Sequence, residues 1–206
     1  MEEVIGSSNM AMYLCCFRHL CGSSPHTSVP IRTTPTIILD TGYMGHEVVI
    51  VKNGIRICGT GGALGNIPIL QNKAYFEVKL QQSGVWGVGI ATRNTNLNKV
   101  PLGEDAQSWV LCSDGTVRHN GEEKYKIGDI PQEGDIMGIT YDHVELNFYI
   151  NGKPTNTPVT SFKGTVYPAL YVDDGAIMDV IFENFSHGPP SGYDSIMVEK
   201  SLLEND

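Results

Sequence analysis

Three stretches of this chain carry residue types whose spacing could do chemistry. In RICGTGGALGN, residues 56–66, Gly59, Gly61, Gly62 and Gly65 follow a β-branched run, and Tyr75 and Lys79 stand downstream in a Y-x-x-x-K spacing. That combination reads at first as the cofactor loop of a nicotinamide-dependent dehydrogenase, in which glycines let backbone amides approach a pyrophosphate at a helix N-terminus. In YDHVE, residues 141–145, His143 stands with Asp142 and Glu145, a grouping suited to acid and base work. In YLCCFRHLC, residues 13–21, the thiols of Cys15, Cys16 and Cys21 lie among apolar residues and beside Arg18 and His19. That is the texture of an S-acylated membrane anchor, for which two acyl chains are needed. Zinc held by these thiols with His19 or His26 is an alternative without the spacing of a known finger, and an unmodified tail is the plain one.

The elements that must position these groups decide between the readings. From Ile37 onward the chain is a series of short runs rich in Val, Ile, Tyr, Phe and Thr: VVIV, AYFEVKL, WGVGIAT, IMGITYD, VELNFYI, VYPALYV and IMDVIF. None has the length of an amphipathic helix. Asn-Gly, which accepts the two positive φ angles of a tight hairpin, occurs at Asn53-Gly54, Asn120-Gly121 and Asn151-Gly152; the first and third are flanked on both sides as a hairpin would be, IVKNGIRI and FYINGKP, and Asp114-Gly115 adds a further turn. The pattern predicts an all-β, two-layer antiparallel sandwich, with short helical turns only near 101–106 and at the C-terminus. Residues 1–35, rich in Ser, Thr and Pro, are expected to form a flexible arm, 36–200 the folded domain and 201–206 a tail.

A dinucleotide fingerprint needs a helix after its glycines, and here they run into Asn66-Ile67-Pro68, which cannot begin one in the required place. Ile67 stands where the T-G-x-x-x-G-x-G pattern of short-chain dehydrogenases has its last glycine, and Tyr75 and Lys79 fit one face of a strand. The glycines are therefore expected to form a connection between two strands, with no cofactor. The formal charge of -9 argues against nucleic acid as a partner, because phosphate binding needs clustered Lys or Arg. Five cysteines are too few and too uneven for a disulfide framework, and no apolar run approaches a membrane span, so a cytoplasmic protein with reduced thiols is expected, membrane-associated if the cysteine cluster is acylated.

Six of these runs, in order, resemble the SPRY domain family: YFEV (75–78), WGVGIAT (86–92), SWVLCSDG (108–115), GDIMGITYD (134–142), LNFYINGK (146–153) and VYPALYV (166–172). The resemblance implies a concanavalin-like β-sandwich that binds other proteins and is not an enzyme. It makes Asp142 and His143 a turn between strands, and it explains Trp86 and Trp109 as pattern residues. A lectin, the rival with the same architecture, would need an aromatic platform beside convergent polar groups. Trp86, Phe76, Phe148 and Tyr167 are expected to be packing residues. In SPRY domains that capture short peptides, the pocket uses the loops after the GVGIAT-like and YPALYV-like strands. Carried over, these are Arg93, Asn94, Asn96 and Asn98, and Val172, Asp173 and Asp174. Where those relatives have a Val-Trp pair this chain has Val172-Asp173, so their Asn-rich peptide preference does not transfer. The expectation is instead a monomer whose acidic rim, Asp173 and Asp174 beside the 93–100 loop, selects a peptide with a basic residue; the plain alternative is a solvated acidic turn.

Overall fold

The computed structural model describes residues 36–198. Fourteen strands run through them: β1 (Leu39–Met44), β2 (Glu47–Val51), β3 (Arg56–Gly65), β4 (Ala74–Gln82), β5 (Val85–Ala91), β6 (Ser108–Cys112), β7 (Thr116–His119), β8 (Glu122–Lys126), β9 (Ile136–Tyr141), β10 (Leu146–Ile150), β11 (Lys153–Pro154), β12 (Tyr167–Asp173), β13 (Ile177–Ile181) and β14 (Asp194–Ser195). Among the described residues there is no helix, and the helical turn expected near 101–106 is an irregular series of turns. The helical turn expected at the C-terminus, the arm 1–35 and the tail 201–206 lie outside the described residues.

Two of the three Asn-Gly pairs close two-residue hairpins. Asn120 and Gly121 take φ of 55° and 72°, Asn151 and Gly152 take 48° and 76°, and the residues flanking them pair directly, His119 with Glu122 and Ile150 with Lys153. Two successive positive φ angles match the turn to the twist of its strands. Asn53-Gly54 differs, because Lys52 is also at positive φ (52°) and the flanking pair is Val51 with Arg56, leaving a longer loop.

The main strand path is β11-β10-β9-β4-β13-β3-β12-β5-β6-β7-β8, and it curls into two layers. All pairings are antiparallel except that of β14 with β4, where Asp194 faces Ala74. The layers meet in β3. Its first residues, Arg56 and Ile57, pair with β13, whereas Gly61 to Leu64 pair with β12. Between them Gly59 and Gly61 hold φ of 92° and 130°, and a Cβ on Gly59 would stand 2.2 Å from the carbonyl oxygen of Glu47. The glycines are thus neither a cofactor loop nor a connection between strands. They let one strand leave one layer and enter the other, which side chains with a Cβ would block.

Between the layers lies the main core, with Trp86, Val88 and Ile90 of β5, Phe76, Val78 and Leu80 of β4, Leu146 and Phe148 of β10, and Leu170 and Val172 of β12. Burying side chains of this size stabilises by about 1.5–3 kcal/mol each. The β3-β12-β5-β6 layer has a second buried face. Tyr167, Ala169 and Tyr171 of β12 and Val110 and Cys112 of β6 point away from the main core and are covered by Leu97 and Leu102 of the segment 92–107. Strands buried on both faces lose the apolar-polar alternation of a one-sided sheet, which explains the unbroken VYPALYV and SWVLC runs. The bare face of β5 belongs to this side: a Cβ on Gly87 would fall 2.0 Å from the ring of Tyr171. At its two extremities the path ends in β11, two residues finishing in Pro154, and in β8, EEKYK, every residue of which is exposed.

Candidate protein-interaction surface

The residues implied by the resemblance do not form one patch. In the β5–β12 ladder Ala91 faces Tyr167 and Asp173 faces Val85. The segment after β5 and the turn after β12 therefore leave opposite ends of a ladder about 20 Å long. Antiparallel neighbours always send their following loops in opposite directions, so the juxtaposition of all seven residues depends on how far the 92–107 segment folds back.

It folds back over its own sheet. Thr92 N–H donates to the carbonyl of Gln107 at 2.8 Å and the Thr95 hydroxyl to the same carbonyl at 3.0 Å, which closes the base of the loop. Leu97, 8% exposed, reaches β3, where its carbonyl accepts from Gly62 N–H at 2.8 Å. Asn98 then accepts from His46 N–H through Oδ1 at 2.7 Å, and Asn96 Oδ1 accepts from Asn98 N–H at 3.1 Å. His46 leads directly into β2, whose Glu47 faces Thr60, and the Thr60 hydroxyl donates to Asp173 Oδ1 at 2.9 Å. Asn96, Asn98, Asp173 and Asp174 thus border the same β2–β3 corner. Asp173 Oδ1 also accepts from Asp174 N–H at 2.9 Å, so it shapes the turn, while Asp174 is exposed at φ 48°. Val172 is a correction: it is fully buried, paired with Gly61 and Trp86, and belongs to the main core rather than to a rim.

Arg93 and Asn94 sit at the other end, on a hollow of about 430 Å³ lined also by Thr92, Gln107, Lys163 and Tyr167. The Arg93 guanidinium lies over two rings, 4.0 Å from the centroid of Tyr43 and 4.7 Å from that of Tyr167. Its nearest carboxylate, Asp40, is 4.0 Å away, too long for a hydrogen bond. Tyr167 is 9% exposed and so mostly packed as expected, but its ring also floors this hollow. Nothing in the sequence relates Tyr43 and Lys163 to Arg93. A second cavity, of about 340 Å³, lies against Ile127, Ile130, Asp135, Ile150, Asn151 and Lys153, beside the Asn151-Gly152 hairpin and apart from the seven residues implied by the resemblance.

The other chemical candidates are structural. Asp142 Oδ1 accepts from the amides of Val144 and Glu145, at 3.1 and 2.7 Å, and Oδ2 accepts from the Tyr193 hydroxyl at 3.1 Å. Burial pushes this carboxyl up, but those hydrogen bonds and Lys73 outweigh it and hold it below the usual carboxylate range. Burial, then Asp142, pushes the Tyr193 phenol up to about 12. His143 takes φ of 67° and its Nε2 is 2.9 Å from the carbonyl of Gln71, a turn residue as the resemblance implies. Tyr75 is buried and donates to Glu77 Oε1 at 2.8 Å; burial first, then this bond, raises its phenol far above its ordinary value. Trp86 and Trp109 are 2% and 1% exposed, so neither offers a surface platform to a sugar. Burial likewise pushes the Cys112 thiol up to about 11. Among the described residues no cluster of His, Cys, Asp or Glu is placed to hold a metal ion. Cys15, Cys16 and Cys21 lie outside the described residues.

A family model described as the SPRY domain matches residues 73–185, more than half of the chain. The chain belongs to the SPRY domain family. Human SPRY domain-containing protein 7 is 51% identical over 192 residues, covering 92% of this chain and 97% of the relative. The chicken (Gallus gallus) protein of the same name is 50% identical over 195 residues, covering 94% and 99%. Among solved structures, the SPRY domain of human HERC1 superposes with a TM-score of 0.58 at 15% identity, covering 71% of this chain and 99% of that one. The TRIM65 PSpry domain gives 0.59 at 13%, covering 72% and 90%. SPRY domains serve in general as protein-interaction modules, and the sandwich described above is theirs.

Proposed function

We propose that this SPRY protein is a non-catalytic, cytoplasmic interaction module that recognises a short peptide or partner surface through its rim loops. The observation that supports it is the return of the 92–107 segment, which brings Asn96 and Asn98 to the β2–β3 corner where Thr60 holds Asp173. The Oδ1 atoms of Asn96 and Asn98 accept within the protein, which leaves their amide N–H groups to donate to the carbonyls of a peptide backbone, and Asp174 adds an exposed carboxylate that favours a basic residue in the partner. Rim loops on a rigid sandwich can vary without disturbing the core, which is why recognition belongs there. Proximity labelling with the intact chain supplies partners, and their capture is then compared between the wild type and Asp174→Lys, which leaves the Thr60 bond untouched. Capture should fall at least about ten-fold, as loss of a charged hydrogen bond predicts. Capture that is unchanged in both Asp174→Lys and the double Asp173→Lys, Asp174→Lys variant rejects this corner.

The same proposal includes S-acylation of Cys15, Cys16 and Cys21 as a reversible membrane tether, supported by three thiols in an apolar context beside two basic residues. Acyl exchange on the wild type and on the triple Cys→Ser variant tests it. A label no higher in the wild type than in the variant rejects the tether.

A further inference from the structure

The hollow at the Arg93 end is built differently from the Asp173 corner. Three arginines fall among the described residues, and two of them are neutralised. Arg56 donates through Nη2 to Asp179 at 2.8 Å, and Arg118 donates to Glu104 and Asp114 at 3.2 and 2.9 Å. Arg93 is oriented by the Tyr43 and Tyr167 rings yet makes no hydrogen bond among the described residues, and Asp40 approaches only to 4.0 Å. Ring stacking fixes the plane of a guanidinium while leaving its edge donors available. Lys163 and Gln107 line the same hollow. The Thr92 hydroxyl donates to Gln107 Oε1 at 2.7 Å, which assigns the other end of that amide to its N–H groups. One opening is therefore lined by residues that carry guanidinium, ammonium and amide donors.

We infer that this hollow is a second recognition site, one that takes a single carboxylate of a protein partner, held by Arg93 with Lys163 and Gln107. An ionised carboxylate only accepts hydrogen bonds and pairs with a guanidinium through two parallel bonds. The charges here, Arg93 and Lys163 against Asp40, leave one net positive charge, which matches a monoanion rather than a phosphate dianion. The chain's net charge of -9 opposes nucleic acid and anionic membranes at the same place. This inference rests on the interaction reading above but uses residues at the opposite end of the β5–β12 ladder.

The test is an NMR titration of the full, isotope-labelled chain with a capped tripeptide carrying one central glutamate, the same peptide with glutamine, and inorganic phosphate. Saturable shifts are expected at the Arg93 side-chain Nε–H and at the Gly164 and Thr165 amides. Affinity should be roughly ten-fold lower for the glutamine peptide, as for loss of one charged hydrogen bond. Arg93→Gln and Lys163→Gln should each weaken the glutamate peptide while leaving the rest of the amide spectrum in place. No saturable shift, equal response to glutamate and glutamine, or tighter binding of phosphate than of the glutamate peptide overturns the proposal. Because no cellular partner enters the titration and Asp174 is far from it, a negative result leaves the rim-loop reading to its own test. A positive one stands even if Asp174→Lys captures as well as wild type.

Discussion

Asp179 shows how one side chain can secure a layer. Its carboxylate accepts from Arg56, from Lys52 at 3.2 Å and from Gln81 at 3.1 Å, joining β3, the following loop of β2 and β4 to β13. Burial pushes the carboxyl up, but hydrogen bonds from Arg56 and then Lys52 outweigh it, so it titrates below its ordinary value of 3.8. A carboxyl lower in the folded than in the unfolded chain binds its proton first in the unfolded state. Its contribution is complete above 3.8 and disappears as the pH falls through the folded value. Asp179→Asn should therefore lower stability at neutral pH by about 2 kcal/mol and flatten the acid limb of a denaturation series. A wild-type limb that stays parallel to the variant's below pH 4 contradicts this. Glu77 was less visible in advance. Alternation puts it on the strand face opposite Phe76 and Val78, and there it is fully buried and accepts from the Tyr75 hydroxyl and from the amides of Ser186 and His187 at 2.7 and 2.9 Å. The segment that supplies those amides lies over a hundred residues away and carries no strand pattern, so no local signal could announce the cover. Glu77→Gln replaces an acceptor with a donor facing N–H groups; amide exchange at Ser186 and His187 should accelerate at least about ten-fold.

Strands and hairpins were the legible part of this fold, because Asn-Gly and period-two alternation act within a few residues. The strand runs and the two-residue hairpin at Asn151 follow from that chemistry alone, whereas Asn53-Gly54, flanked as well as Asn151-Gly152, sits in a longer loop and Asn120-Gly121, without such flanks, closes a tight hairpin. The glycines of β3 were harder, since their requirement comes from Glu47 on the neighbouring strand and from the change of layer, which are tertiary facts. Gly59→Ala, with its Cβ 2.2 Å from a backbone oxygen and φ at 92°, should destabilise by at least about 2–3 kcal/mol. Gly128→Ala, where a Cβ meets nothing within 4 Å, is the matched control and should change the denaturation midpoint little. The 92–107 segment was legible as a loop but not as a cover, because Leu97 and Leu102 sit among Asn, Lys, Gly and Asp. Its direction of return, set by Gly62 and His46, decided which candidate residues met at one corner. The burial of Val172 and the split of the other six candidates between two ends follow from strand register, which short motifs do not encode.

For the molecule as a whole, the sharing of β3 between both layers ties their fates together. Neither layer can separate without breaking pairings to β13 or β12. Far-ultraviolet circular dichroism and the fluorescence of Trp86 and Trp109, both buried in the common core, should therefore report superimposable denaturant transitions. Two resolved midpoints would show that the layers melt apart. Both borders of the strand path have a further consequence. A short strand ending in proline offers its outer neighbour almost no ladder, and a border of five exposed residues, four of them charged, resists being buried against another strand. Stacking of molecules border to border into filaments is thereby discouraged, and the chain should stay dispersed in crowded solution without a chaperone shielding those flanks.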